Sequence, residues 1–250
     1  MTNFGAIIIG DEILSGKRQD GHFSHTIASL AKRGLELNWC RIVGDAPALI
    51  TETLRQTYAG GDIVFCFGGI GATPDDHTRL CAAQATGVPL IRQPGAVAEI
   101  EARFGAGAYT RRILMADLPQ GSRIIPNPFN RIPGFSLGHH NFLPCFPQMA
   151  WPMMDWVLDT LYPEISNQAP AAEEIITVHD AMESQLLDVL NEFVRRYPDV
   201  RFSCLPHIGE DNARRLEFGV KGTRPRVAEA MAWLKQEVEQ SGCRCTENPR

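Results

Sequence analysis

Residues 68–78 combine three glycines with two neighbouring acids directly after an apolar run. The segment reads Gly68-Gly69-Ile70-Gly71-Ala72-Thr73-Pro74-Asp75-Asp76-His77-Thr78. Glycines let backbone N–H groups approach an anion closely, and the N-terminus of a following helix adds its positive dipole end. A hydroxyl from Thr73 or Thr78 adds a further donor. The segment therefore predicts a binding site for the phosphate of a small molecule.

The two acids in this segment need a separate explanation. Asp75 and Asp76 would repel a bare phosphate, so a divalent cation that bridges carboxylate and phosphate is one interpretation. In the other interpretation, one acid caps the helix that begins near Thr78 and the glycines serve only a tight turn. Both remain open at the level of sequence.

Acids also follow two other apolar runs. Residues 10–16 read Gly-Asp-Glu-Ile-Leu-Ser-Gly after the run 6–9, and Asp45 follows the run 37–43. If all three runs are strands of one parallel sheet, their carboxyl ends meet at one edge, where ligands bind in such sheets. Asp11 and Asp45 are otherwise read as turn formers or helix caps. Three strands that deliver acids to one edge predict a ligand site there.

The elements that must position these residues alternate between strand and helix. Amphipathic stretches separate the three apolar runs, and this order is typical of a parallel sheet wrapped by helices. The predicted strands are 6–9, 37–43 and 63–67, and the predicted helices are 22–33, 48–58 and 78–86. Residues 87–151 are punctuated by proline and predict loops with short strands at 134–137 and 141–143, before a helix at 151–161.

A second domain follows a candidate linker at residues 163–172. Its order is β-α-β-β-α-β, which predicts a small α+β domain of the ferredoxin-like or KH-like kind. The predicted domains are 1–165 and 173–250. The predicted elements of the second are strands 174–178, 200–205, 214–221 and 243–246, and helices 181–197 and 225–241.

Composition argues against two classes of partner. The 250 residues carry a net charge of −5, which does not suit a surface that coats nucleic acid or an anionic membrane. A KH-type nucleic-acid clamp needs a Gly-x-x-Gly loop that joins two helices, and we expect no such loop in residues 173–250. The N-terminus lacks a basic region and no stretch approaches the ~18 apolar residues of a membrane span, so we expect a cytoplasmic protein.

Several weaker candidates for metal binding, phosphate binding or an interface can also be explained by a purely structural role. The seven cysteines are odd in number and lie mostly in apolar runs, which predicts reduced thiols. Cys243 and Cys245 have no second pair nearby to complete a zinc site.

His139-His140 is a possible metal pair, but the side chains of adjacent strand residues point to opposite faces of the sheet. Arg111-Arg112 would grip phosphate or form a solvated helix face, and residues 151–154 (Trp-Pro-Met-Met) would serve an interface or the core.

At residues 10–16, 43–45 and 68–78 the sequence resembles the molybdenum-cofactor biosynthesis family, which has the MoaB/Mog-like fold. Within it, the sequence is most similar to the branch found at the N-terminus of CinA, the competence/damage-inducible protein. The resemblance covers residues 4–161, with weaker matches at Asn127-Pro128, at 133–135 and at 144–147. It implies a three-layer α/β/α fold that binds a pterin or an adenine nucleotide at this edge.

The resemblance also implies functions. Asp45 and Asp76 fall where Mog-type proteins carry functionally required acids, and CinA-like domains are associated with metal-dependent hydrolysis of ADP-ribose. A KH-like domain follows in that family, members self-associate, and the further amidase domain of full-length CinA has no counterpart here, so we expect no deamidase activity. The chain departs from the family pattern at residues 20–22, at Asn130-Arg131 and at Cys145, where a lost glycine would reshape the pocket.

Together these arguments predict a specific site. Asp45 and Asp76 are the expected catalytic residues, and Asp45, Asp75 and Asp76 are the expected ligands of Mg²⁺, Mn²⁺ or Co²⁺. The alternative is a non-catalytic protein that binds molybdopterin at the same edge. The remaining expected ligand-binding residues are Gly10, Asp11, Glu12, Ser15, Gly16, Gly68, Gly69, Gly71, Thr73 and Thr78.

Overall fold

A computed structural model describes residues 3–109, 111–165, 172–208 and 214–247 of the chain. The chain divides into two compact units, Met1–Ala169 and Pro170–Arg250. In the described residues, no helix is long and apolar enough to cross a membrane. All seven cysteines are free thiols, as the sequence predicted.

The first unit alternates strands and helices along its length. Its strands are β1 (Phe4–Ile9), β2 (Trp39–Val43), β3 (Ile63–Phe67), β4 (Leu90–Arg92), β5 (Asp117–Pro119), β6 (Arg123–Ile125), β7 (Gly134–Leu137) and β8 (His140–Leu143). Its α-helices are α1 (Asp11–Leu14), α2 (His22–Ala31), α3 (Pro47–Gly60), α4 (Thr78–Thr86), α5 (Pro94–Phe104) and α6 (Pro147–Leu161). The strand and helix alternation predicted for the first 100 residues is confirmed.

Six of these strands form one mostly parallel sheet, in the order β2-β1-β3-β8-β7-β6. The strands β2, β1, β3 and β8 are parallel to one another. Strand β7 pairs antiparallel with β8, and β6 pairs antiparallel with β7. The strands β4 and β5 pair separately as a short antiparallel ribbon. The carboxyl ends of β1, β2 and β3 therefore lie at one edge of the sheet, as the ligand-site prediction requires.

Helices cover both faces of the sheet because its central strands are apolar on both sides. Every residue of β1 and β3 is buried. Ile7 and Cys66 face a core formed with α3, α4 and α5, whereas Ile8 and Phe65 face a core formed with α2 and α6. Alternate strand residues point to opposite faces, so an apolar run buries both. The result is the predicted three-layer α/β/α architecture.

The proline-punctuated region contains more regular structure than the sequence predicted. Helix α5 was missed, and α6 begins at Pro147, four residues before the predicted start. Both helices carry proline in their first turn, where the missing N–H has no intrahelical partner in any case. Met153 and Met154 of the apolar segment 151–154 are fully buried in the core. These two residues therefore serve the core and not an interface.

The second unit is a β-α-β-β-α-β domain. Its elements are β9 (Ala172–His179), α7 (Glu183–Arg196), β10 (Arg201–Ile208), β11 (Arg214–Gly222), α8 (Arg224–Gln240) and β12 (Arg244–Glu247). The strand order β10-β11-β9-β12 with antiparallel pairing throughout is the ferredoxin-like arrangement. One Gly-x-x-Gly tetrad, Gly219-Val220-Lys221-Gly222, does occur here, but it lies within β11 and not in a loop that joins two helices. Most of the predicted linker falls on residues 166–171, outside the described residues.

His140 is a buried imidazole in the core of the first unit. Its Nε2 lies 2.8 Å from Thr57 Oγ1, its ring stacks on Tyr58 at 3.8 Å, and its Nδ1 is buried with no hydrogen-bond partner among the described residues. A proton on Nδ1 would therefore have no acceptor. Burial, with a smaller contribution from His139, lowers the pKa of His140 to about 3. This packing accounts for the burial of His140.

We expect His140 to make folding stability depend on pH. Between about pH 6.5 and pH 3 the unfolded imidazole is protonated and the folded one is not, so the free energy of unfolding falls as pH falls. Its contribution approaches about 1.4 kcal/mol per pH unit within that window. Urea unfolding at pH 7.5, 6 and 5 measures it as the difference between the wild type and His140→Gln.

The neighbouring residue supplies the control for this experiment. His139 is exposed and is only the smaller cause of the lowered pKa of His140, so His139→Gln should keep most of the wild-type pH dependence, whereas His140→Gln should have a flatter dependence. Equal dependence in the wild type and His140→Gln would contradict a neutral buried imidazole.

Candidate functional site

The carboxyl ends of β1, β2 and β3 border a cleft of about 600 Å³. We call this space the rim cleft. It is lined by eight of the residues expected from the sequence: Gly10, Glu12, Asp45, Gly69, Gly71, Thr73, Asp75 and Asp76. The prediction that separate strand ends bring these residues together is thus consistent with the geometry, although Asp11, Ser15, Gly16, Gly68 and Thr78 do not line the cleft.

Two backbone-to-carboxylate hydrogen bonds join the loops after β1 and β2. The Asp11 N–H donates to Asp45 Oδ2 at 2.8 Å, and the Asp45 N–H donates to Asp11 Oδ1 at 3.2 Å. Gly44 permits this approach, because a Cβ there would lie 2.4 Å from Asp11 Oδ1. Asp11 therefore positions Asp45, and Asp45 is the acid of the pair that faces the cleft.

Asp45 lies among other negative charges. Burial raises its pKa first, and the charges of Asp11, Glu12 and Asp75 raise it further, while the hydrogen bond from the Asp11 amide opposes both effects. Like charges close together disfavour ionisation of each other. A cation in the cleft would relieve this repulsion.

The glycine loop, residues 68–77, packs so closely at Gly68 and Gly69 that neither position has room for a side chain. Gly68 has φ +107°, and a Cβ there would lie 2.3 Å from the backbone oxygen of Ile9. Gly69 has φ +67°, and its Cβ would lie 2.2 Å from Thr78 Oγ1. These backbone conformations favour glycine. The glycines therefore do more than make a tight turn, since the loop must also pack against a strand.

Thr78 hydrogen-bonds to the glycine loop and does not line the rim cleft. It is fully buried, its Oγ1 donates to Gly68 O at 3.0 Å, and its N–H donates to Gly69 O at 3.0 Å. The expectation that its hydroxyl contacts the ligand is therefore corrected, because that hydroxyl is already used within the protein. Thr78 instead sets the orientation of two peptide groups of the loop.

The orientation of two loop carbonyls determines the direction of the N–H groups in the same peptides. In a trans peptide the C=O and the next N–H point in opposite directions. Since the carbonyls of Gly68 and Gly69 point to Thr78, the N–H groups of Gly69 and Ile70 point away from it, and both residues line the cleft. Neither amide hydrogen-bonds to any residue that the structure describes.

Asp76 closes the far end of the glycine loop. Its Oδ2 accepts hydrogen bonds from the Thr73 N–H at 2.8 Å and from Thr73 Oγ1 at 2.5 Å, and the Asp76 N–H donates to Thr73 O at 3.0 Å. Gly71 must be small here, because its Cβ would lie 2.4 Å from Asp76 Oδ2. Asp76 Oδ1 has no hydrogen bond within the described ranges. Thr73 and its own amide lower the pKa of the exposed Asp75.

Part of the cleft wall comes from the proline-punctuated region. Asn127, Asn130 and Cys145 line the cleft beside an apolar wall. Arg111, which sequence analysis left undecided, also lines the cleft, whereas Arg112 lies over the Phe104 ring at 4.6 Å. Hydrophobic periodicity did not assign these residues to the site, and only the resemblance to the family drew attention to Asn127, Asn130 and Cys145. The apolar wall comprises Ile70, Met115, Ile132, Pro144, Phe146 and Met149.

No group of three or more His, Cys, Asp and Glu side chains is arranged to hold a metal ion, as far as the described residues extend. Cys243 and Cys245 are free thiols and belong to no such group.

The positions at which the chain departs from the family pattern have structural roles. Asp20 accepts hydrogen bonds from the His22 and Phe23 amides. Arg131, at φ 61°, pairs with Glu99. Cys145 O lies 3.0 Å from His22 Nε2.

A three-layer α/β/α unit with a glycine loop and acids at one sheet edge defines a class of small-ligand-binding α/β proteins. The family model described as "Probable molybdopterin binding domain" matches residues 5–164. The chain belongs to this family, and relatives of the chain carry the name CinA-like protein.

Three comparisons illustrate the similarity. A CinA-like protein of Syntrophotalea carbinolica is 30% identical over 192 residues, which cover 74% of this chain and 47% of that protein. A protein of Pyrobaculum calidifontis is 26% identical over 244 residues, 93% of each chain. The crystal structure of CinA from Thermoplasma acidophilum superposes with a TM-score of 0.59 at 26% identity, over 66% of this chain and 99% of that one. The chain thus spans about half the length of its CinA-like relative from Syntrophotalea.

Proposed function

We propose that the chain binds the phosphate of a pterin or an adenine nucleotide in the rim cleft and acts as a metal-dependent ADP-ribose pyrophosphatase. The observation that carries the proposal is the set of loop amides, at Gly69 and Ile70, which point away from Thr78 and have no hydrogen-bond partner in the described part of the chain. Unpaired amides on adjacent residues form a concave site for an anion. The N-terminus of α4 follows the same loop.

The donor chemistry of the cleft suits a divalent cation. Carboxylate oxygens are hard ligands of the kind that Mg²⁺ prefers, and Asp45, Asp75 and Asp76 all line the cleft. The charges of Asp11, Glu12 and Asp75, which add to the effect of burial in raising the pKa of Asp45, would be offset by a cation at this position. Since no three acids converge among the described residues, phosphate oxygens and water would complete the coordination, as is usual for Mg²⁺ at phosphate sites.

In this proposal the chain contributes positioning and charge. Asp45 and Asp76 are the catalytic acids, and Asp75 is a further cation ligand. A cation held by these acids would neutralise charge on the diphosphate and would polarise its phosphorus–oxygen bonds. The loop amides bind phosphate oxygens and so hold the diphosphate in one orientation, which lowers the barrier to attack by water. The apolar wall, with Phe146 and Met149, suits a planar ring.

The second candidate function is a non-catalytic molybdopterin-binding protein. Two observations favour it: the absence of a three-acid group within the described ranges, and the use of Asp76 Oδ2 by Thr73 inside the loop. In this case the same amides and apolar wall hold the phosphorylated pterin and no bond is cleaved.

Release of AMP from ADP-ribose separates the two functions. Purified protein is incubated with ADP-ribose and Mg²⁺, Mn²⁺ or Co²⁺, with a matched reaction in excess EDTA. We expect AMP with the metal and none with the chelator. Tight molybdopterin binding without AMP would favour the second function, whereas failure to bind either ligand would contradict both.

A further inference from the structure

Arg79 joins the glycine loop to a second wall of the rim cleft. It is the second residue of α4, and one terminal nitrogen of its guanidinium, Nη2, donates to Gly71 O at 2.6 Å. The other, Nη1, donates to Leu114 O at 2.6 Å and to Asp117 O at 2.9 Å. Met115 lies between those two carbonyls and lines the cleft. A single side chain thus braces two segments that border the ligand space.

The contact with Gly71 determines the direction of a third loop amide. Because Gly71 O points to Arg79, the N–H of Ala72 in the same peptide points the opposite way. Ala72 lines the cleft and Arg79 does not. The Ala72 amide has no hydrogen bond to a residue in the described ranges. Thr78 and Arg79, which are consecutive, therefore orient three peptides of the loop toward the same space.

The guanidinium is poorly solvated at this position. Burial lowers the pKa of Arg79, and the nearby charges of Asp117 and Asp76 oppose that effect. Its Nε is buried and has no hydrogen-bond partner among the described residues. An incompletely paired cation beneath an anion-binding loop is stabilised when an anion binds above it. Lysine would supply the charge but not a planar fork that contacts two separate segments.

We propose that Arg79 is a positioning residue of the anion site, which holds the Gly71–Ala72 peptide so that the Ala72 amide contacts a phosphate oxygen. The inference rests on the proposed function, because it assigns how the same site recognises phosphate. It applies equally to a pterin phosphate and to a nucleotide diphosphate, since both present the same oxyanion to the loop.

The test is calorimetric binding of inorganic pyrophosphate, with Mg²⁺, to the full chain at a temperature where every variant is folded. Arg79→Lys should bind at least about tenfold more weakly, the effect of losing roughly one charge-assisted hydrogen bond. Arg92→Lys is the matched control, because Arg92 pairs with the Asp117 carboxylate at 2.5 and 3.0 Å and does not contact the loop. It should bind within about twofold of the wild type.

Chemical rescue distinguishes positioning from general destabilisation. Millimolar guanidinium, far below denaturing concentrations, should restore pyrophosphate binding to Arg79→Ala and should not change binding by Arg92→Ala. Wild-type affinity in Arg79→Lys, or an equal loss in the Arg92 variant, would overturn the inference.

A crystal structure of Arg79→Lys gives a readout that does not depend on ligand binding. We expect the Gly71–Ala72 peptide to turn, so that its carbonyl no longer faces α4. An unchanged peptide would overturn the inference. If the wild type binds no pyrophosphate, the proposed function fails, and this structure still decides whether Arg79 orients the loop.

Discussion

Asp76→Ala is expected to release AMP from ADP-ribose at least about 100-fold more slowly than the wild type, which corresponds to about 2.7 kcal/mol of transition-state stabilisation. The reason is that Asp76 would have two roles in the proposed site. Its Oδ2 accepts both hydrogen bonds from Thr73 and so closes the loop, while its Oδ1 remains available to a cation. Alanine removes both functions. AMP quantified by chromatography, at saturating metal, measures the effect.

Asp76→Asn separates the two roles of Asp76. Asparagine keeps an oxygen that accepts the Thr73 hydrogen bonds but lacks the negative charge. We therefore expect Asp76→Asn to bind pyrophosphate while AMP release stays as slow as in Asp76→Ala. Asp159→Asn is a control for loss of an acid, because Asp159 pairs with Arg33 on the helical face. An Asp76→Ala enzyme with wild-type turnover would disprove the catalytic assignment.

Gly68→Ala is expected to lower the free energy of unfolding by about 3 kcal/mol or more and to abolish ligand binding. The left-handed φ of +107° disfavours any side chain, and the new Cβ would lie 2.3 Å from Ile9 O. That oxygen cannot move away freely, because Ile9 pairs with Val43 of the neighbouring strand β2. The loop would have to shift, and its amides would move with it.

Gly87→Ala is the matched control for backbone strain. Gly87 follows α4 with φ +71°, and a Cβ there meets no atom within 4 Å. This variant should lose only about 1–2 kcal/mol, from the left-handed conformation alone. Urea unfolding with an unchanged denaturant slope gives both values. Equal losses in the two variants would show that contact with Ile9 contributes nothing.

The two expectations differ in what they test. Gly68→Ala tests the packing of the loop against β1, which is a property of the fold and holds whether or not the protein is an enzyme. Asp76→Asn tests charge at the cleft and holds only if a cation takes part in the reaction. Release of AMP by the wild type that is lost in a stable, pyrophosphate-binding Asp76→Asn variant would therefore support the pyrophosphatase over the non-catalytic function.

Much of the architecture could be predicted because it depends on local patterns. The apolar runs of β1 and β3 specify strands buried on both faces, and alternation with helices specifies a parallel sheet. Given that sheet, topology alone places residues 10–16, Asp45 and the glycine loop at one edge. Helix α5 was not predicted, because residues 87–151 as a whole were interpreted as proline-punctuated loops with short strands.

The sequence by itself therefore determined the fold class, the edge at which the candidate site lies and the glycines of the loop. Only the tertiary structure decided what each side chain does there. It buries the Thr78 hydroxyl against Gly68 O, and it brings Arg79 to the carbonyls of Leu114 and Asp117, which are 35 and 38 residues away along the chain. Such contacts depend on packing between distant segments, and hydrophobic periodicity reports only which face of an element is buried.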